Sequence, residues 1–169
     1  MQYYSTNNIG SRVSLEEAVV KGLASDKGLF MPEEIKRFPA DFFEIIRTMS
    51  FQEIAFEVSK AFFGDDIDEV SLKAIVEETL NFDTPLVEVE SGIYSLELFH
   101  GPTLAFKDVG GRFMSRVLGY FIRKQTKRNT VNVLVATSGD TGSAVANGFL
   151  GVDGIHVYVL YPKALVSAI

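Results

Sequence analysis

The sequence predicts an α/β protein with a helical N-terminal domain in residues 1–82, followed by the first part of a parallel-sheet domain in residues 83–169. Helix-capping patterns and apolar residues at helical spacing characterise the first region. Strand-like and helix-like segments alternate in the second region. Two runs in that region, VNVLVAT and IHVYVLY, are rich in β-branched and apolar residues, which is typical of parallel strands buried on both faces.

Three helices are predicted in the first region. Segments 14–17 (SLEE) and 50–53 (SFQE) have the capping-box pattern, in which a serine and a glutamate three residues later satisfy the first amides of a helix. Asp68 can cap a third helix that continues to about Leu80. The predicted core of this region comprises Leu15, Val19, Leu23, Ile54, Val58, Ala61, Phe62, Ile75 and Leu80, with the pairs Phe42–Phe43 and Phe62–Phe63.

The second region is predicted to continue as a hairpin, a helix, a strand, a helix and a strand. The last three in this order predict a right-handed crossover and a parallel sheet. Two parallel strands and a hairpin cannot cover both faces of such a sheet, and the chain stops soon after the last strand, so we expect an incomplete domain. The predicted elements are strands 86–89 and 92–99, a helix from Lys107 to about Gln125 with Phe113, Val117, Tyr120 and Phe121 inward, strand 131–137, helix 142–149 and strand 155–161.

The composition excludes several classes of function. A net charge of −6 provides no basic field for phosphate backbones, so we expect no nucleic-acid partner. The chain has no cysteine and two histidines, which excludes thiolate chemistry and argues against a histidine-based metal site. No apolar run reaches the length of about 18 residues that spans a bilayer, and the N-terminus lacks a signal-peptide pattern. We therefore expect a cytoplasmic protein with no membrane partner.

The segment HGPTLAFKD, residues 100–108, is the first with a chemical role to consider. A lysine at a helix N-terminus is disfavoured by about 0.3–1 kcal/mol at the positive end of the dipole. That field and the apolar neighbours favour a neutral Lys107 amine, the nucleophile that forms a Schiff base. The alternative is a surface lysine that extends its amine into water. Gly110 and Gly111 each cost about 1 kcal/mol relative to Ala in a helix, which indicates a close approach to this backbone.

The segment ATSGDTGS, residues 136–143, is the second segment with a chemical role to consider. It follows a predicted parallel strand and opens a helix, and open α/β sheets bind ligands at this edge. Its glycines allow close approach, its hydroxyls can donate, and helix N-terminal amides favour anions. The segment therefore favours a site for a carboxylate or a phosphate. The alternative is an ordinary helix cap by Asp140 or Thr141.

Both segments resemble the threonine synthase family. HGPTLAFKD is similar to the lysine segment of that family, and ATSGDTG is similar to its substrate-binding loop. The stretches YST, VSLEEA, GLA and GLFMP near the N-terminus and LYPK at 160–163 also follow the family pattern. The resemblance covers nearly the whole chain, and the two segments in this order are specific to the family.

The resemblance implies a three-layer, fold-type-II enzyme that uses pyridoxal 5'-phosphate. Such enzymes convert O-phospho-L-homoserine and water to L-threonine and phosphate. Lys107 matches the lysine that binds the cofactor covalently and takes part in catalysis. The residues implied to bind the substrate are Thr137, Ser138, Gly139, Asp140, Thr141 and Arg112, the last through the substrate phosphate.

The chain departs from the family pattern after Lys163. Ala164 and Leu165 stand where the family usually has Gly and Lys, and the long second half does not follow. That half would supply the groups that hold the cofactor phosphate and the pyridine nitrogen, so we expect a fragment with little or no turnover. Two other interpretations stay open: a related pyridoxal-phosphate-dependent phospho-lyase, and a non-catalytic N-terminal interaction module. The sequence leaves the oligomeric state open.

Overall fold

A computed structural model describes residues 1–126, 130–137 and 139–163 of the chain. The chain divides into two compact units, Met1–Glu78 and Thr79–Ile169. The domain boundary predicted at residues 82–83 stays a prediction, because compactness alone does not show which part folds by itself.

The first unit opens with a small antiparallel sheet that the sequence analysis did not predict. Its strands are β1 (Tyr3–Ser5), β2 (Asn8–Val13) and β3 (Phe30–Pro32), in the order β2-β1-β3. β1 pairs with both neighbours and lies in the centre. Strands of three residues are too short to show the alternation by which a strand is recognised in a sequence.

The first unit contains four α-helices, three of which begin at the predicted caps. They are α1 (Leu15–Lys21), α2 (Ala40–Ile45), α3 (Phe51–Phe63) and α4 (Glu69–Thr79), with a 3-10 turn at Ile46–Thr48. The Ser14 hydroxyl accepts from the Glu17 amide at 3.1 Å. Ser50 and Glu53 form the full capping box, which confirms both predicted patterns. α2 and the 3-10 turn were not predicted.

The core of the first unit differs from the prediction at three positions. Leu15 and Ile75 are buried as predicted, but Leu23 is 47% exposed and Phe43 is 57% exposed. Leu23 follows the helix end at Gly22, where the backbone turns away with φ 67°. Phe43 follows the buried Phe42 on α2. Neighbouring helical residues point about 100° apart, so a helix that is covered on one side can bury Phe42 and leave Phe43 exposed.

The third exception is Val58 on α3. It is exposed, while its neighbour Ser59 is buried. The buried side of α3 is therefore rotated by about one residue from the predicted face.

The second unit contains the predicted alternation of strands and helices. A hairpin of β4 (Leu86–Glu90) and β5 (Ile93–Leu96) is followed by α5 (Lys107–Lys124). The last three elements are β6 (Val131–Ala136), α6 (Asp140–Phe149) and β7 (Ile155–Leu160). β6 and β7 pair in parallel from Val131–Ile155 to Ala136–Leu160, which confirms the predicted parallel sheet.

The burial of β6 and β7 corrects the prediction of strands buried on both faces. Both strands alternate between half-buried and exposed residues. The valines of the half-buried face pack towards α6, where a Cβ built on Gly142 would lie 3.4 Å from Val159 Cγ1. The opposite face exposes Leu134, Tyr158 and Leu160, because α6 covers one side of the sheet.

The helix α5 provides much of the core of the second unit. Val117, Tyr120 and Phe121 are buried as predicted, and Phe113 is half-buried. Over the described ranges, no helix combines the length and apolar character that a bilayer crossing requires.

Candidate active site

Lys107 is the first residue of α5, as predicted. It follows a compact turn, in which the Leu104 amide donates to the Gly101 carbonyl at 3.0 Å and the Asp108 amide donates to the Ala105 carbonyl at 3.0 Å. The Lys107 side chain is half-buried, and its Nζ lies 4.1 Å from the centroid of the Phe106 ring. The amine is therefore held against an aromatic face at the helix start.

Asp108 fixes this turn from inside. Its side chain is fully buried. Its Oδ2 accepts from the Thr103 amide at 2.8 Å, and its Oδ1 accepts from the Thr103 hydroxyl at 2.7 Å. A Cβ on Gly101 would lie 2.6 Å from Oδ2, so glycine is required where the turn crosses the carboxylate. The sequence analysis missed this role, although Asp108 stands beside the lysine in the same segment.

The backbone of the turn is also unusual. Leu104 has φ 57°, in the left-handed region that costs a residue with a Cβ about 1–2 kcal/mol. Its side chain is 75% exposed, so its own packing does not hold it in that conformation. Strained backbone of this kind is typical of functional sites and persists where the surroundings determine it.

The turn between β6 and α6 forms the second part of the site. The Thr137 amide donates to the Leu160 carbonyl at 2.9 Å and continues the sheet ladder beyond β6. The Gly139 amide then donates to the Thr137 hydroxyl at 3.3 Å. A Cβ on Gly142 would lie 2.6 Å from Thr137 Cγ2, so α6 can begin this close to the sheet because residue 142 is a glycine. Ser138 lies outside the described residues.

The start of α6 does not match the interpretation of an ordinary side-chain cap. The N-cap is Gly139, and no described side chain caps the helix. Asp140 and Thr141 are already the first two helical residues, exposed and half-buried respectively. The first amides of α6 are therefore oriented for an anion, as at other helix N-termini.

Close helix packing brings the two parts together. A Cβ on Gly148 would lie 3.1 Å from the backbone N of Arg112, and a Cβ on Gly111 would lie 3.6 Å from the Ala144 carbonyl oxygen. Further along, a Cβ on Gly119 would lie 2.8 Å from Val152 Cγ1. Contacts in this order mean that α5 and α6 run in the same direction, so their N-termini lie at the same end.

The predicted lysine and the predicted loop are neighbours for this reason. Lys107 is one turn before Gly111, and Asp140 is one turn before Ala144. The close approach expected at the glycine pair is observed at Gly111. At Gly110 a Cβ would meet nothing within 4 Å, and this open side lies one turn from Lys107 on the same helix face.

Arg112 has a different position. It lies five residues after Lys107, about 140° around the helix axis. Its Nη2 donates to Asn81 Oδ1 at 3.1 Å, and its guanidinium carbon lies 5.9 Å from the Phe82 ring centroid. The structure directs this side chain to the segment before β4.

Comparisons with known proteins agree with the two segments. A family model described as "Threonine synthase N terminus" matches residues 2–80. The threonine synthase of Escherichia coli is 38% identical over 99% of this chain, and that of Schizosaccharomyces pombe is 40% identical over all of it. The alignments cover 38% and 35% of those proteins, so the chain spans little more than a third of their length.

Solved structures give the same result. A pyridoxal-phosphate-bound threonine synthase from Brucella melitensis superposes with a TM-score of 0.91 at 35% identity, covering 99% of this chain and 37% of that one. The Escherichia coli enzyme superposes with a TM-score of 0.87 at 38% identity, again over 99% of this chain and 38% of that one. The chain therefore belongs to the threonine synthase family, of which it forms an N-terminal portion.

Proposed function

We propose that the whole protein carrying this chain is a threonine synthase, which converts O-phospho-L-homoserine and water to L-threonine and phosphate with pyridoxal 5'-phosphate. The observation that carries the proposal is the pair of parallel helices, with Lys107 at the start of α5 and the first amides of α6 at the same end. An amine and an anion site side by side suit a substrate with a carboxylate. The proposal further rests on the family membership of the chain.

The residues around Lys107 fit the cofactor. The amine can bond to the cofactor aldehyde, and the open sides of Gly110 and Gly139, where a Cβ would meet nothing within 4 Å, leave room for a flat ring or a bound substrate. When bound, the pyridine ring withdraws electrons from the substrate Cα.

Lys107 is the residue to which we assign proton transfer. Its amine can accept protons from the substrate Cα and Cβ, while phosphate leaves from Cγ and water adds at Cβ. A positioned general base contributes about 10²–10⁴-fold to a rate. The Phe106 ring below Nζ restricts where the amine can lie, so the base is partly oriented before substrate binds.

The loop at residues 137–141 is assigned to the substrate carboxylate, with Gly139, Asp140 and Thr141 supplying amides at the start of α6 and the Thr137 hydroxyl beside them. Ser138 is assigned to the same loop by resemblance. Arg112 is assigned to the substrate phosphate, which requires its guanidinium to share or leave Asn81.

The test is threonine formation from O-phospho-L-homoserine by the whole protein and its Lys107→Ala variant. We expect the variant to lose at least about 10²-fold in rate, because it lacks the base. Lys124→Ala, at the far end of α5, is the matched control and is expected to retain the rate. An active Lys107→Ala enzyme would contradict the assignment.

Product analysis in the same assay separates the other interpretations. Phosphate release without threonine would replace threonine synthase by a related phospho-lyase. Neither phosphate nor threonine, with the cofactor present, would favour the non-catalytic interaction module.

A further inference from the structure

We propose that Asp108 is a positioning residue for Lys107, acting through Thr103. The inference rests on the proposed function, because it assigns a purpose to the turn that precedes the lysine. The carboxylate of Asp108 would hold residues 101–106 in one conformation and so fix where α5 begins and where the Lys107 amine points.

Burial of the carboxylate is the first argument. Asp108 has no exposed surface, and an ionised group in such a place is costly unless charge-assisted hydrogen bonds compensate it. Two hydrogen bonds from one residue, Thr103, reach this carboxylate at 2.8 and 2.7 Å, so both of its oxygens have a partner at normal hydrogen-bond distance. An apolar side chain would fill the same space without the free-energy cost of burying a carboxylate. The presence of Asp108 therefore indicates that the turn at residues 101–106 must be held in one conformation.

The shape of the turn is the second argument. Thr103 and Asp108 stand on either side of Leu104, whose φ of 57° is unfavourable. The exposed Leu104 side chain cannot enforce that conformation. The bonds between Thr103 and Asp108 close the chain around it, and Gly101 is in contact with the same carboxylate.

The adjacency of Asp108 and Lys107 is the third argument. Both belong to the first turn of α5, so any shift of the Asp108 backbone moves the Lys107 Cα. Groups that orient metal ligands typically change metal affinity or activity by about 10- to 100-fold when they are removed, and we expect an effect at the lower end of that range for an oriented amine. The Phe106 ring, 4.1 Å from Lys107 Nζ, further restricts where the amine can lie.

The test measures how fast Lys107 itself reacts. The whole protein is mixed with pyridoxal phosphate, reduced with borohydride at timed intervals and digested, and the labelled fraction of each lysine is measured by mass spectrometry. Thr103→Val keeps the side-chain shape but removes the hydroxyl that donates to Asp108. Thr103→Ser keeps both donors and is the matched control.

We expect labelling of Lys107 to slow about tenfold in Thr103→Val and to stay within about twofold of the parent in Thr103→Ser. Lys21 and Lys163 should stay unlabelled in all proteins. Asp108→Asn, which keeps the volume and removes the charge, should also slow Lys107.

The labelling results test the positioning role of Asp108 and the proposed function separately. If the parent labels at Lys107 and both Thr103→Val and Asp108→Asn label it at the parental rate, the positioning role is overturned and the proposed function stands. A fall in thermal stability with unchanged labelling of folded protein has the same meaning, since Asp108 would then be structural. If the unaltered parent is not labelled at Lys107, the proposed function fails, and the positioning role fails with it.

Discussion

At the scale of single residues, the buried phenol of Tyr3 makes the stability of the first unit depend on pH. The ring is 7% exposed, and its hydroxyl donates to the Phe62 carbonyl at 3.2 Å. Burial, followed by the charges of Asp66 and Asp65, raises the pKa of Tyr3 from 10.0 to about 12. The neutral phenol is therefore favoured in the folded chain.

This shift predicts a loss of stability at alkaline pH. A raised pKa contributes stability that is fully present below the unfolded value of 10.0 and is lost as pH rises towards about 12. Tyr3→Phe should cost about 1 kcal/mol at pH 7 through the lost hydrogen bond, and its unfolding free energy should fall less steeply between pH 10 and 12. Urea unfolding of the two proteins at several pH values measures this. Equal slopes would contradict the burial of an ionisable phenol.

At the scale of elements, the contact between α5 and α6 depends on small residues. A Cβ on Gly148 would lie 3.1 Å from the backbone N of Arg112 and 3.1 Å from the carbonyl carbon of Gly111, so a methyl group fits there only if the backbone of α5 moves by a few tenths of an ångström. This contact aligns the two helix starts, and so the site depends on residues one to two turns away from it.

Replacement by alanine is predicted to have opposite effects on stability at Gly148 and at Gly110. Gly148→Ala should destabilise the chain by about 1–3 kcal/mol, because the added Cβ forces the helices apart. Gly110→Ala, where a Cβ meets nothing within 4 Å, should stabilise it by up to about 1 kcal/mol through helix propensity. Thermal or urea unfolding of both variants checks the prediction. A Gly148→Ala chain as stable as the parent would show that the helices are not in close contact.

Elements with strong patterns could be predicted from the sequence, and short ones could not. The capping boxes at Ser14 and Ser50 gave correct helix starts, and the runs at 131–137 and 155–161 gave the parallel strands. β1 and β3, with three residues each, contain no period to recognise.

The candidate site was predictable in part for a similar reason. Lys107 and the loop at 137–141 belong to contiguous segments with a chemical pattern. The role of Asp108 was not predictable, because its contact with Thr103 requires a turn with Leu104 at positive φ. A residue with a Cβ seldom adopts that conformation, so the sequence carries no signal for it.

At the scale of the whole molecule, the second unit leaves apolar surface exposed on its sheets. Leu134, Tyr158 and Leu160 are exposed on the parallel pair, and the hairpin exposes Leu86 and Ile93. The relatives are more than twice as long as this chain. We infer that an active protein needs the part that these relatives have in addition.

The isolated chain is therefore predicted to form little or no threonine. The described residues contain the Lys107 amine and part of the proposed substrate loop, but we expect the groups for the cofactor phosphate and pyridine nitrogen to belong to the other part. The comparison is threonine formation by the purified 169-residue chain and by the whole protein under identical conditions. Turnover by the isolated chain at a comparable rate would contradict this division of the site.

Lys107 is the residue that we propose to carry the cofactor. The most direct measurement is borohydride reduction of the whole protein saturated with pyridoxal phosphate, followed by peptide mapping. We expect a single reduced adduct, on Lys107. An adduct on another lysine, or no adduct, would contradict it.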